Sequence, residues 1–138
     1  MEGKRYNYLK AGANAMVYFG MYGCPPCMAE LPSIVEMARR HPDMNFVYTT
    51  FNEAPTVNEE FEKILGKDYV LPGNFHRISM TELFIALQNL TICYPVKYFL
   101  DKKGTVQYMQ YQELKSFNGK TYDDYHAVNE AVIAAFNP

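Results

Sequence analysis

The sequence predicts an α/β fold in which a central mixed β-sheet is flanked by helices. Between residues 15 and 51, the chain shows an apolar strand, an amphipathic helix and a second strand. Two strands joined by such a crossover helix lie parallel, with a right-handed connection. Between residues 95 and 109, two strand-like runs flank a short turn, which predicts an antiparallel hairpin. Parallel and antiparallel pairs in one small chain together predict a mixed sheet.

The length and charge of the chain restrict its class. Its 138 residues, 49% of them hydrophobic, suffice for one domain with a substantial core. We therefore expect a single domain over residues 1–138. We also expect a monomer. The net charge of −2, with scattered basic residues, argues against a nucleic acid or an anionic membrane surface as partner. No apolar run approaches the ~20 residues of a membrane span, and the N-terminus lacks the apolar core of a secretory signal.

The first half of the chain contains the clearest elements. Residues 1–14 are polar and predicted to be irregular, with a turn at residues 10–12. Residues 15–19 are apolar on both faces, which is typical of a central strand in a covered sheet. Residues 44–51 are rich in β-forming residues and predict the next strand. Between these strands, from residue 25 to about 40, apolar residues recur at helical spacing: Met28, Leu31, Ile34, Val35 and Ala38.

The segment of residues 52–91 is predicted to be a helical and loop region between strands. Residues 57–65 and 81–90 show helical patterns. Residues 66–77 are predicted to be a loop, with a turn at Pro72-Gly73-Asn74.

The C-terminal part predicts a hairpin followed by a helix. Residues 95–100 and 105–109 are the expected strands, and Gly104 can adopt the positive φ that the turn needs. Thr121 is the expected N-cap of the last helix. The expected inward stripe of that helix consists of Tyr125, Val128, Val132 and Phe136.

Two cysteines lie where the first strand gives way to the first helix. Cys24-Pro25-Pro26-Cys27 separates two thiols by two residues, the spacing of a dithiol/disulfide redox centre. With Cys24 as the N-cap, both prolines occupy the first helical positions, where a missing N–H is tolerated. The Cys24 sulfur would then face the positive end of the helix dipole and accept from the Cys27 N–H, which favours the thiolate. Cys24 is therefore the expected nucleophile, and Cys27, the less exposed thiol, is the expected resolving cysteine.

A metal-binding role and a purely structural role of the cysteine pair both stay open. The pair could be half of a zinc site, although a structural site needs two further ligands. The remaining candidate ligands show no paired spacing, so no metal site is predicted; they are Cys93, His41, His76 and His126. The pair could also be a structural disulfide, although a bridge across so short a loop removes little unfolded-state entropy. Redox chemistry accounts for the spacing better than either role.

Two motifs of the chain match a known pattern. Residues 24–32 read Cys-Pro-Pro-Cys-Met-Ala-Glu-Leu-Pro, and residues 95–106 read as a proline, a strand, an Asp-x-x-Gly turn and a second strand. These motifs resemble those of the TlpA/ResA-like thiol-disulfide oxidoreductases, a group of the thioredoxin superfamily. The resemblance covers nearly the whole chain from about Ala15. It implies a thioredoxin-like fold with the Cys-x-x-Cys pair at the N-terminus of the first long helix.

The resemblance also implies where a substrate would bind. Pro95 would be a cis-proline that packs against the active-site disulfide, and the backbone of Tyr94 would pair with an extended substrate chain. Gly23 and Pro25, on either side of Cys24, would complete the contact surface. Gly23 stands where the group usually has tryptophan, and the chain contains no tryptophan.

Glu30 is the expected proton acceptor of the site. The resemblance implies that a glutamate one turn beyond Cys27 tunes the thiol pKa values and relays protons. From the residue pattern alone, Glu30 could equally be a solvated carboxylate on the helix surface. Tyr18 stands where thioredoxin itself has a buried acid, which leaves Glu30 as the candidate for this role.

The predicted activity is thiol-disulfide exchange with protein disulfides, by the cysteine pair alone and without a cofactor. A thiol electron donor would complete the cycle. No histidine separates the cysteines and neither proline offers a backbone donor to the sulfur, so a reductase is favoured. The alternatives are an oxidase or isomerase, a tryparedoxin-like electron carrier, and a non-catalytic dithiol module that binds metal.

The resemblance implies a periplasmic or otherwise extracytoplasmic setting, with the signal or anchor segment outside this sequence. A cytoplasmic location stays open. Cys93, two residues before Pro95, could form an alternative disulfide or be a buried, inert thiol.

Overall fold

The structure of the protein is a computed structural model that describes residues 10–21, 23–50, 52–79, 95–111 and 122–137. These residues contain five strands and three helices. They are β1 (Ala15–Phe19), α1 (Pro25–Arg40), β2 (Asn45–Thr50), α2 (Ala54–Leu65), β3 (Phe75–Ser79), β4 (Val96–Leu100), β5 (Val106–Tyr111) and α3 (Tyr122–Phe136). Within the described ranges, no helix combines the length and apolar character needed to cross a bilayer.

The five strands form one mixed sheet in the order β3-β2-β1-β4-β5. β1 pairs in parallel with β2, and β2 with β3. β4 runs antiparallel to both β1 and β5. The predicted mixed sheet, the parallel crossover through α1 and the antiparallel hairpin are all confirmed.

The core lies between one face of the sheet and the helices. Because successive strand residues point to opposite faces, alternate positions carry this packing. The strand members include Met16, Tyr18, Phe46, Tyr48 and Phe99, which form one cluster with Leu31, Ile34, Val57, Phe61 and Ile133 of the helices. The ring of Phe61 meets that of Tyr48 edge to face, with centroids 5.2 Å apart. Packing of this kind fixes α1 and α2 against the sheet.

A row of polar residues crosses the same face of the sheet. Tyr18 of β1 opposes Tyr48 on β2 and Lys97 on β4. Lys97 is 5% exposed and the two tyrosines are at most 1% exposed. The row therefore brings two hydroxyl groups and an amine into the layer between sheet and helices.

The predicted loop over residues 66–77 is wrong at its C-terminal end, because residues 75–79 form β3. Phe75 and Ile78 are buried, but His76 and Arg77 between them interrupt the apolar pattern. β3 is an edge strand of the described sheet, paired with β2, and an edge tolerates polar residues. α2 also begins at Ala54, three residues before the predicted start, with a proline in its first turn.

The predicted inward stripe of α3 is confirmed except at Val128. Tyr125 is buried, and Val132 and Phe136 pack against the core. Val128 is 43% exposed, and Asn129 and Ile133 are the fully buried positions of the helix. Asn129 is buried because it hydrogen-bonds to α1 and β4. The predicted helix over 81–90 and the predicted cap at Thr121 lie outside the described residues.

Candidate active site

Cys24 and Cys27 form a disulfide, with their Cα atoms 5.2 Å apart. Cys24 is the N-cap of α1, in an extended conformation, and Pro25 and Pro26 occupy the first two helical positions. The predicted start of the helix is thus confirmed. Both cysteines are buried, at 6% and 1% exposed, and Cys24 is the more accessible.

The backbone around Cys24 directs its sulfur toward the helix. The Cys27 N–H donates to Cys24 Sγ at 3.3 Å, and the Met28 N–H donates to the Cys24 carbonyl at 3.0 Å. The N-terminal end of a helix carries a partial positive charge, which stabilises a thiolate formed there after reduction. Neither Pro25 nor Pro26 can add a backbone donor. Among the described residues, the N–H of Cys27 and the dipole of α1 are therefore what stabilises a Cys24 thiolate.

The predicted substrate contacts fall on two parts of the structure. Gly23 and Pro25 flank Cys24 and are exposed. Gly23 has a φ of 78°, and the chain turns there so that the Cys24 N–H donates to the Met21 carbonyl at 3.1 Å. Pro95 is buried directly before β4. Tyr94 and Cys93 lie outside the described residues, so their roles stay predictions.

Glu30 is buried, with 0% of its surface exposed, and is not a solvated carboxylate. It lies on α1 about one turn beyond Cys27. Its Oε1 forms an ion pair with Lys97 Nζ and accepts from Asn129 Nδ2 at 3.2 Å. Lys97 Nζ also donates to Asn129 Oδ1 at 2.8 Å. Three elements, α1, β4 and α3, thus meet at one polar cluster in the core.

Tyr18 faces the same carboxylate from β1. Burial raises its pKa well above the ordinary range, and the negative charge of Glu30 raises it further. A phenol in this position stays protonated through the neutral range. Tyr18 can therefore serve as a neutral neighbour of Glu30 but not as a base.

The pattern of the sequence did not reveal Lys97 or Asn129 as members of the site. Each is a polar residue at a position of an element where an apolar one is expected: Lys97 within the apolar run of β4, and Asn129 between Tyr125 and Ile133 on the buried side of α3. That interruption is the signal that could have identified them. Within the described ranges, no group of three or more His, Cys, Asp or Glu residues has the geometry to hold a metal ion.

Several solved structures with a similar architecture are thiol-disulfide proteins. One is a secreted Mycobacterium tuberculosis disulfide oxidoreductase homologous to Escherichia coli DsbE, at 17% identity over 88% of this chain and 83% of that chain, with a TM-score of 0.59. A second is a putative thiol:disulfide interchange protein DsbE from Chlorobium tepidum, at 15% identity over 92% and 82%, with a TM-score of 0.65. A third is the thioredoxin domain of a thiol-disulfide oxidoreductase from Bacteroides vulgatus, at 13% identity over 88% and 80%, with a TM-score of 0.61. The chain has a thioredoxin-like fold.

At identities of 13–17%, these similarities establish the fold of the chain. No protein-family model and no curated protein sequence matches it. In this thioredoxin-like chain, the cysteine pair lies at the start of the first long helix, as the sequence predicts.

Proposed function

We propose that this protein is a thiol-disulfide oxidoreductase that acts as a disulfide reductase on protein substrates. The observation that carries the proposal is the Cys24–Cys27 disulfide at the N-terminus of α1, with the more accessible sulfur held at the N-cap. The similar structures are thiol-disulfide proteins, which supports the same chemistry here.

The proposed cycle uses the two thiols in turn. The Cys24 thiolate attacks a disulfide of the partner, so that a Cys24–partner bond forms and the partner's second sulfur leaves as a thiolate, which takes a proton from water. The Cys27 thiol then loses its proton and attacks Cys24 Sγ. This step closes the Cys24–Cys27 bond and releases the partner's first sulfur, so that the partner is reduced by two electrons. A thiol donor returns the pair to the reduced form by the same exchange in reverse.

The proposed direction follows from how the Cys24 sulfur is held. Strong disulfide donors stabilise their reduced form through a very low thiol pKa. Here the Cys27 N–H donates to Cys24 Sγ, whereas Pro25 and Pro26 have no N–H to donate. Moderate stabilisation of the thiolate favours a low reduction potential and hence a reductase.

The proposed partners are a protein disulfide and a separate thiol electron donor. We assign the substrate contact to Gly23, Pro25, Tyr94 and Pro95, and we expect a monomer with no bound cofactor. The proposed setting is extracytoplasmic, because the similar Mycobacterium tuberculosis protein is a secreted one.

The reduction potential of the pair tests the direction. The protein is equilibrated in dithiothreitol and glutathione buffers, alkylated, and the modified thiols are counted by mass, which also follows Cys93. A value near thioredoxin's, about −270 mV, is expected for a reductase. A value near about −120 mV would identify a disulfide donor instead.

Trapping with single cysteine variants tests the order of the two thiols. Cys27→Ser is expected to accumulate a mixed disulfide with a protein substrate such as insulin, whereas Cys24→Ser is not. Cys93→Ser is the matched control and should cycle as the wild type does. If purified reduced protein instead holds stoichiometric zinc or copper that Cys24→Ser loses, the pair is a metal site and the redox proposal is wrong.

A further inference from the structure

The cluster of Glu30, Lys97 and Asn129 is unusual because it places two opposite charges in the core. The side chains of Lys97 and Glu30 are 6% and 1% exposed, and they belong to different elements, β4 and α1. Asn129 of α3 closes the cluster, since it accepts from Lys97 Nζ at 2.8 Å and donates to Glu30 Oε1 at 3.2 Å. Glu30 Oε2, in contrast, has no hydrogen-bond partner among the described residues.

A buried ion pair of this kind contributes little to stability. Desolvation of both charges offsets most of their attraction, and apolar residues of similar volume often stabilise a core equally well. The ion pair is also not needed to hold α1 against β4. Both elements already contribute to the apolar core, through residues such as Leu31 and Phe99. Packing alone therefore does not account for Lys97 on the interior strand β4.

The position of the Lys97–Glu30 ion pair next to the cysteines suggests a role in disulfide exchange. Residues three apart on a helix are neighbours on its surface, so Glu30 adjoins Cys27, the resolving thiol. The oxygen of Glu30 that Lys97 does not occupy is the one without a hydrogen-bond partner in the described part of the chain. Oε2 is thus the oxygen of Glu30 that can accept a proton.

We propose that Lys97 is a positioning residue for disulfide exchange, which acts through Glu30 by balancing its buried negative charge, so that Glu30 stays ionised until it takes the proton of Cys27. The proposal rests on the function proposed above. Before the transfer, the site holds the Lys97 cation, the Glu30 carboxylate and the neutral Cys27 thiol. After the transfer, it holds the same cation, a neutral carboxylic acid and the thiolate. Without Lys97, a lone carboxylate in the core would take a proton from solvent and would no longer be a base.

In the mixed disulfide, the resolving step moves one proton and exchanges one sulfur–sulfur bond for another. The Cys27 proton passes to Glu30, the Cys27 sulfur forms a bond with Cys24 Sγ, and the bond between Cys24 and the partner's sulfur breaks. The electron pair of that bond leaves with the partner as a thiolate. The partner thiolate is protonated, and Glu30 releases its proton in turn, so the cluster returns to its starting charge.

Other titratable groups surround the Glu30 carboxylate, and their protonation can also affect the pH dependence of the resolving rate. Those nearest are Tyr18 of β1 and Lys97 of β4, and those one side chain further away are Tyr48 of β2 and Tyr125 and His126 of α3. His126 reaches the cluster through Ser33, whose Oγ lies 3.4 Å from His126 Nδ1 and 3.3 Å from Asn129 Nδ2. A His126→Gln control therefore separates the titration of this imidazole from that of the site.

The test measures the resolving step alone. It uses a Cys93→Ser background, so that Cys24 and Cys27 are the thiols that react. Reduced protein is converted to the Cys24 mixed disulfide with a chromogenic aromatic thiol, and the release of that thiol by Cys27 is followed from pH 5 to pH 9. Lys97→Met is expected to slow the release about tenfold at pH 7 and to move the acid limb up by about one pH unit. Lys97→Arg, which keeps the charge, should restore most of the rate.

The double variant tests whether Lys97 acts through Glu30. In a Glu30→Gln background, Lys97→Met should change the release rate by less than about twofold, because the base is already absent. An equal slowing in both backgrounds, or an unchanged pH profile in Lys97→Met, would overturn the proposal. If Lys97→Met does not fold, Lys97→Gln takes its place, since it keeps a donor without the charge and is expected to show the same shift.

The same experiment separates this inference from the function on which it rests. If the wild type never releases the aromatic thiol, the pair does not close and the proposed oxidoreductase function fails. If the wild type releases it normally and the Lys97 variants keep the wild-type pH profile, the function stands and the inference alone is wrong.

Discussion

Tyr18 and Tyr48 stack across β1 and β2 with their ring centroids 5.6 Å apart, and each phenol faces a different buried carboxylate. The Tyr48 hydroxyl donates to Glu60 Oε2 of α2 at 3.5 Å, whereas Tyr18 faces Glu30 of α1. The exposed fractions of Glu60 and Glu30 are 2% and 0%. The core thus holds two acids at the ends of one aromatic pair, and Glu30 is the one that adjoins the cysteines.

Glu60 should make the stability of the protein depend on pH. Burial raises its pKa from 4.5 to about 7, although the Tyr48 hydrogen bond acts in the opposite direction. Between these two values, the folded state binds a proton that the unfolded state has released, so the free energy of unfolding falls as pH rises and levels off above about pH 7. Glu60→Gln removes this effect. The variant should gain roughly 2 kcal/mol over the wild type between pH 5 and pH 8.

Urea unfolding of both proteins at pH 5, 6.5 and 8 measures this gain. Glu59→Gln is the matched control, because it removes an exposed carboxylate from the neighbouring position of the same helix. The assignment to Glu60 would be wrong if the two variants changed the slope of stability against pH equally.

Gly20 lies so close to Tyr48 that a side chain would disturb the aromatic pair. A Cβ atom at Gly20 would lie 2.7 Å from the Tyr48 hydroxyl oxygen and 3.0 Å from two ring carbons. Because Tyr48 is 1% exposed and packed on both sides, it cannot move freely. Gly20→Ala should cost about 1–3 kcal/mol through overpacking.

A double-mutant cycle checks the cause of that loss. Tyr48→Phe removes the hydroxyl and with it the closest contact, so Gly20→Ala should cost less in the Tyr48→Phe background than in the wild type. Thermal unfolding of the four proteins gives the coupling energy. Strictly additive losses would show that Gly20→Ala acts elsewhere.

Asn74 ties the end of α1 to the start of β2. Its Nδ2 lies 2.9 Å from the carbonyl oxygens of Ala38 and His41 and 3.0 Å from that of Met44. The last carbonyls of a helix have no partner within the helix, and a buried unpaired carbonyl is costly. Asn74→Ala should therefore lower the free energy of unfolding by about 1–3 kcal/mol.

Asn74→Asp shows whether Asn74→Ala destabilises through the loss of the amide donor or through the loss of side-chain volume. It keeps the size of the side chain but turns an acceptor toward three carbonyls, so it should be at least as destabilising as Asn74→Ala. Asn58→Ala, on an exposed position of α2, is the matched control. A stable Asn74→Asp variant in denaturant unfolding would contradict this role of the Asn74 amide.

The sequence predicted the elements that have strong local signals. The apolar run of β1, the cysteine N-cap with its two prolines and the hairpin around Gly104 each follow from residues within a few positions of one another. β3 has no such signal, since His76 and Arg77 interrupt its pattern, and its backbone pairing with β2 is what defines it. Local pattern alone could not show that pairing.

The chemistry of the site was predictable at its centre and not in its surroundings. The spacing of Cys24 and Cys27 indicated the redox pair directly, and the family pattern pointed to Glu30. The partners of Glu30 are 67 and 99 positions away along the chain. Asn129 is buried because Lys97 and Glu30 bind it, so the apolar periodicity of α3 missed this position and placed Val128 inward instead. Long-range polar contacts of this kind follow from the fold and not from any single segment.

Gly23 controls how the chain approaches the nucleophile, and its replacement should separate backbone strain from steric effects. Its φ of 78° lies in the left-handed region, which costs a residue with a side chain about 1–2 kcal/mol. A Cβ atom at this position would have no heavy atom of the described residues within 4 Å, so contacts with these residues add no crowding. Gly73 is equally open but does not have a positive φ, which makes Gly73→Ala the matched control. That control should stay within about 0.5 kcal/mol of the wild type.

The strain at Gly23 should also affect the reaction, because this turn holds the Cys24 N–H on the Met21 carbonyl. Gly23→Ala should lower the rate of attack on a disulfide substrate, whereas Gly23→Asn, which tolerates positive φ better, should recover part of both stability and rate. Denaturant unfolding and the initial rate of insulin reduction report the two effects. Equal losses of stability in Gly23→Ala and Gly73→Ala would contradict backbone strain at Gly23, and an unchanged rate would show that the turn does not position Cys24.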